Sequence, residues 1–128
     1  MKTSIPRLSF LVPALLAGVL LCMPRAAMAH AYPSAETPPA GSTVKSSPAE
    51  VTIRYNAAIE DAFAKLEVLD AHGHSQNVSR PRVAPDHRTL SVKVRRLVAG
   101  QYTVKWQVVA EDGHRTHGSY TFRVVADP

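Results

Sequence analysis

Three residues of this 128-residue chain, one of them far from the other two, have the donor types that a transition metal selects: His30, Asp112 and His114. In Glu111-Asp112-Gly113-His114-Arg115-Thr116-His117-Gly118 the aspartate and histidine are two apart. Residues i and i+2 of an extended backbone project to the same side, so a carboxylate and an imidazole converge there. Asp-Gly is equally a common tight-turn pair, and on that reading His114 is only a solvated turn residue. His30 changes the weighting. It follows Ala27-Met28-Ala29, the small-residue pattern at which a leader is cut, and cleavage there frees an α-amine beside the imidazole as a chelating pair. The amine has an ordinary pKa of about 8, so a metal displaces its proton with modest help near neutral pH. Together with Asp112 and His114 this makes three nitrogens and one oxygen, a set suited to a tetragonal site and to Cu(II), which tops the divalent affinity series.

The leader itself is legible. Residues 1–29 read as a signal peptide, with Lys2 and Arg7 at its start and a largely apolar run over residues 8–23. That run contains Pro13 and falls short of the roughly 20 residues a spanning helix needs, so export followed by cleavage after Ala29 is expected, with no stable membrane insertion afterwards. Lipid attachment at Cys22 is disfavoured because bulky Leu21 precedes it. Cleavage removes three cations, Lys2, Arg7 and Arg25, and no acid, which lowers the formal net charge from +5 to +2. A nucleic-acid partner is not expected, since no cationic cluster with interleaved aromatics is left beyond Arg95-Arg96. Cys22, Met1, Met23 and Met28 are the only sulfur residues, and all lie in the leader. The mature chain therefore has no disulfide, no thiolate ligand and no thioether for Cu(I), and any metal site must be nitrogen and oxygen.

The elements that must position these donors are strands. Residues 30–48 carry Pro33, Pro38, Pro39 and Pro48, which forbid helix and predict an extended edge strand and a loop bent at Pro38-Pro39-Ala40-Gly41. Val51, Ile53 and Tyr55 alternate with polar residues, as do Leu66 and Val68, then Leu90, Val92 and Val94. Tyr102, Val104, Trp106 and Val108 form one apolar face, and Tyr120, Phe122 and Val124 another, with the Asp112 turn between them. A short strand is expected at residues 77–79, loops at 71–74 and 81–87, and at most a short helical run within 57–65. The sum is an all-β domain over residues 30–128, a Greek-key sandwich of about seven strands of the Ig-like or cupredoxin-like kind. His30 reaches the turn if the N-terminal strand runs beside the last hairpin.

These residues resemble the CopC-like periplasmic copper-binding and copper-resistance family over nearly the whole mature chain. The likeness rests on His30 directly after the leader, Thr37-Pro38 followed by Gly41, Pro48-x-x-Val51, Tyr102-x-Val104-x-Trp106-x-Val108, Asp112-x-His114, Gly118 and Phe122-x-Val124. It implies a small β-sandwich holding one Cu(II) through the amine and imidazole of His30 and the side chains of Asp112 and His114. It also implies a role in copper binding, carriage or tolerance; a non-catalytic periplasmic carrier, buffer or resistance protein is expected, a monomer with an inner-membrane copper transporter among its candidate partners. Two features depart from the pattern. The Met-rich Cu(I) loop of some members is absent, which marks a Cu(II)-only variant, and Asn56-Ala57 stands where the first core strand often ends in Ser-Glu, so water replaces that acidic neighbour.

The other histidines have blander readings. His117 is a solvated residue close enough to assist His114, His72 and His74 form a His-x-His pair in a glycine loop with too few ligands for a firm site, and His87 has no neighbour in sequence. No catalytic residue and no organic cofactor site is expected. Two other functions use the same residues: a copper monooxygenase, which shares the N-terminal His chelate, and a metal-free Ig-like interaction module. The first conflicts with aromatics placed on buried faces and with an Asp ligand that favours Cu(II).

Overall fold

The computed structural model describes residues 3–4 and 30–125. Apart from residues 3 and 4, the leader reading lies outside them. Eight strands follow in chain order: β1 (Pro33–Thr37), β2 (Thr43–Val44), β3 (Glu50–Tyr55), β4 (Lys65–Leu69), β5 (Arg82–Val83), β6 (Thr89–Lys93), β7 (Gly100–Val109) and β8 (Arg115–Val124). They form two four-stranded sheets, ordered β1-β3-β6-β5 and β2-β8-β7-β4, so the chain crosses from one layer to the other after β1, β2, β3, β4 and β6. This is the expected all-β sandwich, with one strand more than the sequence pattern suggested.

The alternating segments bury the faces their periodicity predicts. Val51, Ile53 and Tyr55 of β3 and Leu90 and Val92 of β6 face Leu66 and Val68 of β4, Tyr102, Val104, Trp106 and Val108 of β7, and Tyr120, Phe122 and Val124 of β8. Full burial of each such aliphatic side chain favours the fold by about 1.5–3 kcal/mol. Tyr55 of one layer meets Trp106 of the other edge-on at 5.5 Å, and within the second layer the cross-strand pair Tyr102 and Phe122 stacks at 5.7 Å. Gly118 lies opposite Trp106 in the β7–β8 ladder, and a Cβ there would stand 2.7 Å from the indole Cζ2. The ring thus occupies the space a side chain would need.

Three local expectations differ, and a fourth, at most a short helical run within 57–65, is met. The N-terminal strand is an edge strand, but β1 pairs with β3 in the opposite sheet and not with the last hairpin. The interval 81–87 holds the two-residue strand β5, paired at Arg82↔Ser91 and Val83↔Leu90. Residues 77–79 do not form a strand; Asn77 makes a single bridge to Val94, because its side chain instead ties the Val68 amide and the Leu66 carbonyl. Within 57–65 the helical run is a single 3-10 turn, Asp61–Phe63. No helix among the described residues is long and apolar enough to cross a membrane.

Candidate metal centre

One pole of the sandwich gathers the chain start, the end of β3 and the β7–β8 turn. The turn is closed by backbone bonds from the Gly113 amide to the Ala110 carbonyl and from the Ala110 amide to the His114 carbonyl. Gly113 takes φ +90, which suits glycine. A bridge between Ile59 and Ala110 and the bond from the Glu111 amide to the Ala58 carbonyl brace the turn from the side.

Asp112 organises it further. One carboxylate oxygen accepts the His114 amide at 3.0 Å, and the other lies 2.9 Å from His114 Nδ1. The convergence read from i,i+2 spacing is therefore real, but it is made by a side-chain-closed turn and not by extended backbone. The His114 amide first, and then its imidazole, hold the Asp112 carboxyl below the ordinary aspartate range, with His30 acting weakly in the same direction. The contact with Asp112 engages Nδ1 of His114 and orients the ring, an arrangement common behind metal-bound imidazoles.

His30 arrives from the opposite sheet. Its ring lies 4.6 Å from that of His114, centroid to centroid, with the planes at 68°, and Tyr32 stands 6.3 Å away on its other side. The residue is exposed, yet its neighbour Ala31 is fully buried, and the Ala31 carbonyl accepts a 2.6 Å hydrogen bond from the buried Thr116 hydroxyl on β8. Tyr32 is clamped in turn by Asn56, whose side-chain oxygen accepts the Tyr32 amide at 2.8 Å and whose own amide donates to the Tyr32 carbonyl at 3.0 Å. A route through Thr116 and Asn56 thus replaces the expected strand pairing.

Neither positioning residue was singled out from the sequence. Thr116 had a signal: it is a hydroxyl in the inward register of a strand whose other inward residues are Gly118, Tyr120, Phe122 and Val124. In the sequence Asn56 shows only as a missing acid, whereas its side chain and amide hold Tyr32 in place.

The structure brings His30, Asp112 and His114 into one neighbourhood, with the His114 side chain 61% and the Asp112 side chain 31% exposed. Among the described residues, no three His, Cys, Asp or Glu side chains stand ready around a common metal position. Asp112 is turned onto His114. Each carboxylate oxygen has two lone pairs, so one on each is left after these two contacts.

The other histidines lie elsewhere. His117 pairs with Gln107 and points to the outer face of its sheet, opposite to Thr116. His72 and His74 cap the far pole, beyond Leu69, which pairs with Thr103, roughly 24 Å along β7 from the metal pole. Their rings are 6.2 Å apart and both amides donate to Asp70, whose carboxyl is held low chiefly by the His74 amide. His87 has a positive φ and uses its carbonyl to accept the Ile59 amide.

Comparison with known proteins agrees with this architecture. The family model of the CopC domain matches residues 34–125, a span that holds Asp112 and His114 and begins just after His30. The chain is 30% identical over 107 residues to the copper transport protein CutJ of Bacillus subtilis, covering 82% of this chain but only 20% of that protein. It is 32% identical over 115 residues to copper resistance protein C of Escherichia coli, covering 84% of this chain and 90% of that one. Among solved structures, CopC from Methylosinus trichosporium OB3b superposes with a TM-score of 0.72 at 30% identity, covering 77% of this chain and 97% of the other. In fold and in sequence, therefore, this chain belongs to the CopC family.

Proposed function

We propose that the exported protein, cut after Ala29, is a non-catalytic periplasmic carrier or buffer that binds one Cu(II) through the His30 amine and imidazole, the His114 imidazole and the Asp112 carboxylate. The observation that carries this reading is the meeting of the His30 and His114 rings at 4.6 Å beside Asp112, across two different sheets. Fixing an exposed N-terminal histidine there with a buried threonine has no evident use for packing. Nitrogen and oxygen donors without sulfur favour Cu(II) over Cu(I), and the anionic carboxylate reinforces that preference. To join the ligand set, Asp112 uses a remaining lone pair or releases Nδ1 of His114. The names of the relatives, copper transport and copper resistance, support carriage or tolerance over catalysis. The solvent-open pole suits hand-over to a membrane copper transporter, and a monomer suffices because every proposed ligand comes from one chain.

The test is titration of the processed protein with Cu(II), together with electron paramagnetic resonance. One tight equivalent with nitrogen couplings from an amine and two imidazoles is expected. An added residue before His30 converts the amine to an amide and should lower affinity sharply with every side chain intact. Unchanged affinity after replacing both His30 and His114 by Ala refutes the site.

A further inference from the structure

The outer face of the β1-β3-β6-β5 sheet carries a feature unrelated to the metal pole. A concavity of about 190 Å³ there is lined by Arg80, Arg82 and Lys93, with Ser79, Ser91 and one carboxylate, Glu50. Strand register explains why three cations meet. Arg82 stands opposite Ser91 and Lys93 opposite Glu50, all on the face away from the core. Pro81 keeps Arg80 extended, so Arg80 and Arg82 project to the same side.

The segment is also held in place. The Lys93 amide donates to the Ser79 hydroxyl at 2.9 Å, that hydroxyl donates to the Arg80 carbonyl at 3.1 Å, and the Val78 amide donates to the Lys93 carbonyl at 2.9 Å. These bonds extend the sheet edge beyond β5 and keep Arg80 beside Lys93. Among the described residues no carboxylate oxygen lies within 4.0 Å of any of the three cationic groups, the only such pairs being His with Asp. Three cations against the one carboxylate Glu50, which makes no close ion pair with them, disfavour the fold unless something neutralises the excess.

We propose that this pocket binds a phosphate group. Three cations against Glu50 leave two positive charges, which match the dianion of free phosphate and exceed the single charge of a phosphodiester lipid headgroup. Two arginine forks suit bidentate contact with its oxygens, and Ser91 supplies a neutral donor. The phosphate comes from free inorganic phosphate or from the headgroup of an anionic lipid. In the second case the sheet face lies on a bilayer surface while the metal pole stays open to the side.

The experiment adds inorganic phosphate to the processed protein and follows backbone amide shifts, with chloride at equal ionic strength as control. It then measures co-sedimentation with phosphatidylcholine vesicles with and without phosphatidylglycerol. Saturable shifts at Arg80, Arg82, Ser91 and Lys93 are expected, weakened about tenfold in R80Q/R82Q, a few-fold for each exposed arginine. Co-sedimentation only with phosphatidylglycerol, competed by phosphate, supports the lipid source; saturable phosphate binding without co-sedimentation supports the soluble one. Shifts that do not saturate, that chloride reproduces, or that persist undiminished in R80Q/R82Q overturn the proposal. Cu(II) binding checks that the variant is folded, and K93Q serves as an independent second variant.

Discussion

Thr116→Val is the sharpest test of how the N-terminus is placed. The substitution keeps the β-branch and nearly the volume of the side chain but removes the donor that meets the Ala31 carbonyl at 2.6 Å. Leaving that buried carbonyl without its threonine partner costs about 1–3 kcal/mol. The two Asn56 bonds to Tyr32 contribute about 1 kcal/mol each, against roughly 1–2 kcal/mol of backbone entropy for each residue ordered at the terminus. These two bonds fall short of the ordering cost of residues 30–32, so docking depends on the Thr116 bond together with burial of Ala31. Removing the bond shifts the terminus toward an undocked population, and metal affinity falls with the docked fraction. A loss of 1–3 kcal/mol corresponds to a drop of between about fivefold and a hundredfold. Competition against a chromogenic Cu(II) chelator measures the affinity, thermal denaturation measures the fold, and Thr116→Ser, which keeps the hydroxyl, should sit near wild type. If Thr116→Val loses stability yet binds Cu(II) within twofold of wild type, the bond serves only the core and the account of His30 placement is wrong.

Three more outcomes are expected. The Asp112 carboxyl, followed by NMR, should titrate below an ordinary aspartate, and His114→Ala should move its midpoint upward. Because the folded protein then binds fewer protons than the unfolded chain, the stabilising contribution of Asp112 is present above the unfolded pKa and fades as pH falls through the folded one; an Asp112→Asn variant without a weakened acid sensitivity in that window contradicts this. Gly118→Ala forces a methyl against the indole of Trp106, which should destabilise by about 1–3 kcal/mol and alter tryptophan fluorescence, and a wild-type melting temperature refutes the close contact. Tyr55→Phe removes a buried hydroxyl that has no hydrogen-bond partner among the described residues, so stability should be unchanged or higher; a loss above about 1 kcal/mol in denaturant unfolding contradicts that assignment.

Period-two alternation made β3, β4, β6, β7 and β8 legible, because each buries one face and exposes the other. It is silent about which strand pairs with which: Pro33, Pro38 and Pro39 mark an extended edge but not that its partner is β3. Strands of two residues, such as β2 and β5, carry no period at all, and Pro81 and Pro85 gave their neighbourhood the look of a loop. Asn77 shows a different limit, since its side chain takes over bonds that backbone pairing would have made. At the proposed site the donor types were visible as His30, Asp112 and His114. Their supports were not, because the part played by Thr116 depends on a contact with Ala31, 85 residues away in sequence.

The single residue between the buried Ala31 and the chain start proposed here acts as a ruler on the processing enzyme. Cleavage one bond early leaves His30 on an amide nitrogen, and cleavage one bond late discards its imidazole with the leader. Either product keeps the whole core from Ala31 onward, so on the proposed site the error would change the ligand set and leave the core sequence intact. The accuracy of signal cleavage, to one peptide bond, then sets the fraction of molecules competent to load metal.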